Sequence, residues 1–167
     1  FAQASRQVER FSLDQKRKWF ADLFRSMEFF DAPPRQFEFI SISFEAIVSA
    51  SCYAQLKRHR MATLIAGPYD PELGHTIPDQ HREAGLDDEL ERLIAEVDKF
   101  YHKHATVLMQ AAQYALTNAH RRRVMMRFNL RDLYHFIRLR ADAHSQWEIR
   151  DLALRIESRI RAELPLT

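Results

Sequence analysis

Gln55-Leu-Lys-Arg58-His59-Arg60 stands where an apolar helical pattern stops. Upstream, Phe44, Ile47, Val48, Cys52 and Leu56 recur at helical spacing. Two residues apart on a helix, Arg58 and Arg60 diverge by roughly 200°, whereas in an extended segment they point the same way. A helix that ends near Arg58 therefore lets both guanidiniums converge on one ligand. Two readings follow. Cations at a helix C-terminus complement its dipole, worth about 0.3–1 kcal/mol each. Paired guanidiniums also bind phosphate bidentately.

The surrounding composition narrows the choice. The 167 residues suffice for one domain with a real core. Apolar residues make up 46% and charged residues 29%, as in an ordinary globular chain. A net charge of +2 does not by itself imply nucleic acid. The lone Cys52 lies on an apolar stripe, which suits packing and excludes a disulfide framework or thiol metal site. The single cysteine fits a reducing, cytoplasmic compartment, and with no apolar run of membrane-spanning length no membrane span is expected. Only Gly67, Gly74 and Gly85 are present, so any phosphate must be held by side chains or helix ends. The chain opens on Phe1, which suggests a piece of something longer.

Working outward towards the N-terminus, residues 1–10 read as a frayed helix. Ser12-Leu-Asp-Gln15 is a capping box, and the helix behind it carries Trp19, Phe20, Leu23, Phe24 and Met27 up to the stop at Pro33-Pro34. Phe37 to Phe44 alternates as a strand. Towards the C-terminus, residues 66–85 read as loop, with three prolines and all three glycines. Leu86 to about Asn118 reads as one long amphipathic helix, its nearly uncharged second half buried on more than one side. Arg121-Arg122-Arg123 reads as a charged turn before a short strand, Val124 to Phe128. Asn129 starts a helix with Leu130, Leu133, Phe136 and Ile137 on its core face. Ser145-Gln-Trp-Glu148 is another capping box, and Pro165 stops the last helix. There is no internal repeat.

A second constellation lies in Asn129–Arg140. Arg131, His135 and Arg138 fall at i, i+4 and i+7, one polar stripe, with Asp132 and Asp142 as candidate partners. Arg140, His144 and Trp147 make another. His102 and His104 lie on different helix faces without a third ligand, so no metal site is expected.

Taken together, the two constellations resemble the flavin-dependent thymidylate synthases, the ThyX family. The resemblance rests on Gln55-x-x-Arg58-His59-Arg60 and on Asn129-Leu-Arg131-x-Leu-x-His135-Phe-x-x-Leu-Arg140-x-Asp142-x-His144-x-Gln146-Trp147-Glu148-Ile149. It covers about residues 12 to 160. It implies an α+β fold, a twisted, mainly antiparallel sheet flanked by long helices, as a single ThyX-like domain over residues 1–167; a fragment, or one half of a longer duplicated protein, is the alternative. It also implies a homotetramer with FAD between subunits, and one-carbon transfer from methylenetetrahydrofolate to dUMP with NADPH as hydride source. Carried over by position, Arg58, His59, Arg60, Asn129, Arg131 and His135 contact FAD. Gln55, Thr63 and Arg140 face the nucleotide, and Arg140 polarises the uracil. After the Arg-His-Arg the family continues x-x-Ser-x-Asn-Glu-x-Ser-x-Arg-Tyr. Here Thr63 keeps the first hydroxyl, while Ile65, Ala66, Pro68 and Asp70 replace the polar set. An aspartate in place of a phosphate-binding arginine repels the ligand. The family's Gly-His…Glu-His segment is replaced by Glu28-Phe-Phe-Asp-Ala-Pro33-Pro34-Arg35. Two other functions remain open: a degenerate ThyX-like domain with a structural or regulatory role, and a basic nucleotide- or RNA-binding module.

Overall fold

The Ser12 side chain accepts the Gln15 N–H, and Gln15 returns the bond to the Ser12 N–H, so the expected capping box forms. In the computed structural model, which describes residues 2–165, this box opens the second of seven α-helices and lies between α1 (Ala2–Glu9) and α2 (Leu13–Phe24). The chain continues through a 3-10 segment (Arg35–Phe39) into β1 (Ser41–Ser49), α3 (Ala50–Leu56) and β2 (Thr63–Tyr69). After α4 (Asp79–Glu83) come α5 (Asp87–Leu108), a 3-10 segment (Met109–Ala115), β3 (Arg121–Asn129), α6 (Leu130–Arg140) and α7 (Trp147–Glu163). The fold is α+β, and its three strands form an antiparallel sheet in the order β1-β3-β2. No helix among the described residues is long and apolar enough to cross a membrane.

The described residues group into two compact units. The first comprises the chain up to Ile40 and from Asn129 onward. Leu130, Leu133 and Phe136 of α6 are buried in it with Ile149, Ala153, Ile156 and Ile160 of α7. Phe20, Phe24, Phe37 and Tyr134 form an aromatic cluster there, with centroids 5.6–6.4 Å apart. The second unit, Ser41–Phe128, holds the sheet. Val124, Met126 and Phe128 of the central strand point inward, and Arg123, Met125 and Arg127 point out.

Several boundaries differ from the sequence reading. The strand expected at Phe37–Phe44 begins later and runs to Ser49, replacing the start of the expected helix. Its alternation continues past Phe44: Ile42, Phe44, Ala46 and Val48 face in, while Glu45 and Ile47 face out. Phe37 lies on the 3-10 segment instead and is buried. The presumed loop 66–85 contains most of β2. Its Gly67 and Pro68 mislead because β2 is an edge strand with a register shift between Ala66 and Tyr69, a place where proline costs no ladder bond. Arg121–Arg123 is part of β3 rather than a turn, and α2 stops at Phe24, well before the prolines. α5 ends at Leu108 because Met109 takes φ 48° and ψ −121°, well outside the helical region. The expected burial of this second half is not found: Val107, Met109 and Tyr114 are 78%, 74% and 93% exposed. The last helix is capped by Gln146, which accepts the Ile149 N–H, while Ser145 donates to the Leu139 carbonyl.

Candidate functional site

α3 is short because Ser49 caps its start, accepting the Cys52 N–H, and because its chain turns at Lys57. Cys52 and Leu56 are fully buried and hold the helix down. The helix therefore ends just before Arg58, as convergence of the two arginines requires. The residues alternate: His59 is buried, and Arg58 and Arg60 on either side are exposed. Among the described residues neither arginine side chain has a hydrogen-bond or ion-pair partner. A buried imidazole thus anchors a turn that presents two unneutralised guanidiniums. Phosphate oxygens match such donors, so the turn offers charge-assisted donors to an anion.

β2 follows directly. Thr63 stands on its exposed face, opposite Arg127 of β3. Ile65 is exposed on the same face. Asp70 follows the strand, and its carboxylate accepts the Glu72 N–H at 3.0 Å, capping the next 3-10 turn. The aspartate thus has a structural task, and an anion approaching it meets negative charge. Gln55 is half-buried on α3.

The other predicted residues belong to the first unit. Asn129 caps α6, its Oδ1 accepting the Asp132 N–H at 2.8 Å. Arg131 is committed on two sides: Nε donates to the Pro33 carbonyl and Nη1 pairs with Glu38, both at 2.7 Å. Hydrogen bonds from Arg131 and then Arg35 hold the Glu38 carboxyl below the ordinary glutamate range. The expected partners of this stripe, Asp132 and Asp142, are not used by Arg131 or Arg138. Arg138 donates instead to the carbonyls of Phe29 and Asp31. His135 is exposed, and Arg140 is half-buried at the end of α6. Arg140, His144 and Trp147 do not form one stripe, since the helix stops between them. His144 is exposed beside Asp142, with Nδ1 2.9 Å from its carboxylate. Burial raises the Asp132 carboxyl, opposed by nearby His135, and its Oδ2 has no hydrogen-bond partner.

Sequence reasoning missed His120. It is buried, its Nδ1 accepts the Thr117 N–H at 2.9 Å, and its Nε2 therefore carries the proton that goes to Asp98 at 2.8 Å. This ties α5 to the start of β3. A polar residue between Ala119 and a basic run was the only sign of it. Arg122 was read as turn charge, but its guanidinium lies between the rings of Tyr53 and Tyr69, 4.7 and 4.4 Å from their centroids, and bonds the Gly67 carbonyl. Among the described residues no group of three or more His, Cys, Asp and Glu side chains is placed to hold a metal. His102 faces Glu72 across 3.6 Å and His104 packs on Phe100.

Comparison with known proteins gives the same family. The profile of the thymidylate synthase complementing protein family matches residues 2–166. A flavin-dependent thymidylate synthase of Thermococcus onnurineus (strain NA1) is 34% identical over 116 residues, 63% of this chain and 47% of that protein. Its namesake in Thermococcus kodakarensis is 32% identical over 122 residues, again 63% and 47% of the two chains. The UPF0159 protein Ta1429 of Thermoplasma acidophilum is 25% identical over 136 residues, 78% of this chain and 27% of that one. The chain thus spans less than half the length of each of these relatives. With nearly its whole length matched, the chain belongs to the thymidylate synthase complementing protein family.

Proposed function

We propose that this chain is an FAD-binding, thymidylate synthase-like domain that works as part of a homo-oligomer. The observation that carries the reading is the turn after α3, where buried His59 holds Arg58 and Arg60 exposed and without a carboxylate partner. Flavin-dependent thymidylate synthase is the name of relatives that match it. In this reading Arg58 and Arg60 bind the cofactor's phosphates, and His59 sets the turn. Asn129 and His135 lie against the flavin, as does the part of Arg131 that Glu38 leaves open. Gln55, Thr63 and Arg140 face a pyrimidine nucleotide, with Arg140 directed at charge developing on the uracil oxygen. Bound FAD supplies the reducing equivalents for a one-carbon transfer from methylenetetrahydrofolate to dUMP, with NADPH as the source.

A second reading is favoured by Asp70: the domain keeps the flavin and has lost dUMP. Its carboxylate caps a turn where the family's pattern has an arginine, and Pro68 and Ile65 leave no hydroxyl or amide beside it. Titrating FAD into the purified chain and following flavin fluorescence tests the first part of the proposal, and saturable quenching is the expected result. Adding dUMP to the flavin-loaded protein then separates the two readings. A change in flavin absorbance supports synthase chemistry, and a flat response leaves a flavoprotein without this substrate.

A further inference from the structure

The first unit holds a cavity that uses none of the residues assigned to the flavin or the nucleotide. Its volume is about 190 Å³. Leu133, Tyr134 and Ile137 of α6 and Ile160 of α7 supply its largely apolar lining. Arg138, Glu157 and Arg161 supply its charged side, which reaches solvent at Arg161. An apolar cavity of about 150 Å³ accepts a benzene ring, so one six-membered ring fits here.

The charges on that side are unequal. Glu157 neutralises Arg161, whose Nε and Nη2 reach the same carboxylate oxygen at 3.0 and 2.8 Å. Arg138 has no such partner among the described residues. Its Nη1 donates to two backbone carbonyls, of Phe29 and Asp31, and its guanidinium lies 5.7 Å from the Phe29 ring centroid. Carbonyl oxygens fix the group without cancelling its charge. The remaining Nε and Nη2 edge is a preorganised donor pair of the shape a carboxylate takes up. Burial pushes the Tyr134 phenol up, against the opposing effect of Arg161, so the phenol stays neutral and does not repel an anion.

We propose that this cavity binds a small aromatic carboxylate, its ring over Leu133, Ile137 and Ile160 and its carboxylate on Arg138. The site is independent of the flavin reading and stands if that reading fails.

The test uses the full chain with labelled leucine and isoleucine methyl groups, titrated separately with benzoate, toluene and acetate at constant ionic strength. Benzoate is expected to shift the methyl signals of Leu133, Ile137 and Ile160 saturably. Toluene should bind them about tenfold more weakly, because it forgoes the charge-assisted pair. Acetate should not saturate. Arg138→Gln should lower benzoate affinity about tenfold and leave toluene binding unchanged. Ile137→Phe, which fills the cavity and keeps its charged side, should abolish benzoate binding whether or not Arg138→Gln folds. Equal affinity for benzoate and toluene overturns the proposal, as does benzoate binding that survives Ile137→Phe. Shifts of the same methyls on raising protein concentration alone also overturn it, because another copy of the chain then fills the cavity.

Discussion

At the scale of single residues, the account turns on which charges are already spent. Arg131 is spent on Glu38 and Arg122 on two tyrosine rings and a carbonyl, whereas Arg58 and Arg60 have no partner among the described residues. Arg58→Ala is therefore expected to weaken FAD binding by about 1.5–3 kcal/mol, the worth of a charge-assisted contact, with little change in stability. Fluorescence titration beside a denaturant melt separates the two effects, and an unchanged affinity would return Arg58 to its dipole-complementing role. Glu38 gives a pH prediction. Its folded-state value lies below its unfolded one, chiefly through the Arg131 hydrogen bond. Its contribution to stability is therefore present above the ordinary glutamate range and lost as pH falls through the depressed value. In urea melts from neutral to acid pH, Glu38→Gln should lower the midpoint at neutrality, and the gap to the parent should close on the acid side. Asp132 acts in the opposite sense: burial raises it, so its contribution is present at low pH and lost as pH rises through the raised value.

At the scale of elements, helix starts were the most legible part of the sequence. Ser12 and Asn129 cap as their side chains predict, because an N-cap is a local contract between one side chain and an amide a few residues on. Asn129 carries two tasks in this account, cap and flavin neighbour, and substitutions can separate them. Asn129→Asp keeps an acceptor for the Asp132 N–H and should preserve stability, whereas Asn129→Ala should cost about 1 kcal/mol in a denaturant melt. A variant that stays stable but binds FAD poorly assigns the side chain to the flavin. Strands were less legible. Ile47 and Val48 satisfy helical spacing from Phe44 and also continue a two-residue alternation, so the run alone does not choose between them. Pairing with β3 decides it, and across that pair Glu45 meets Arg123. β2 was hidden by Gly67 and Pro68, which only an edge position tolerates. Of the candidate site, the end of the helix just before Arg58 was legible from the apolar spacing. The commitment of Arg131 to Glu38 was not, since it joins residues 93 positions apart.

At the scale of the whole molecule, the proposed homo-oligomer needs a contact surface. Val107, Met109 and Tyr114 lie close in sequence in the second unit and are mostly exposed, which makes them candidates for it. Sedimentation equilibrium should give a mass above 19.8 kDa, and Tyr114→Glu should lower it; a monomer at all concentrations removes the homo-oligomer from the account. The measurement that bears most directly on the central claim is equilibrium dialysis of FAD against the parent chain and the double variant Arg58→Ala with Arg60→Ala. The account predicts saturable binding by the parent and a loss of affinity of at least about 100-fold in a folded double variant, two charge-assisted contacts being removed. Binding that is absent in the parent, or equal in both proteins, would contradict it.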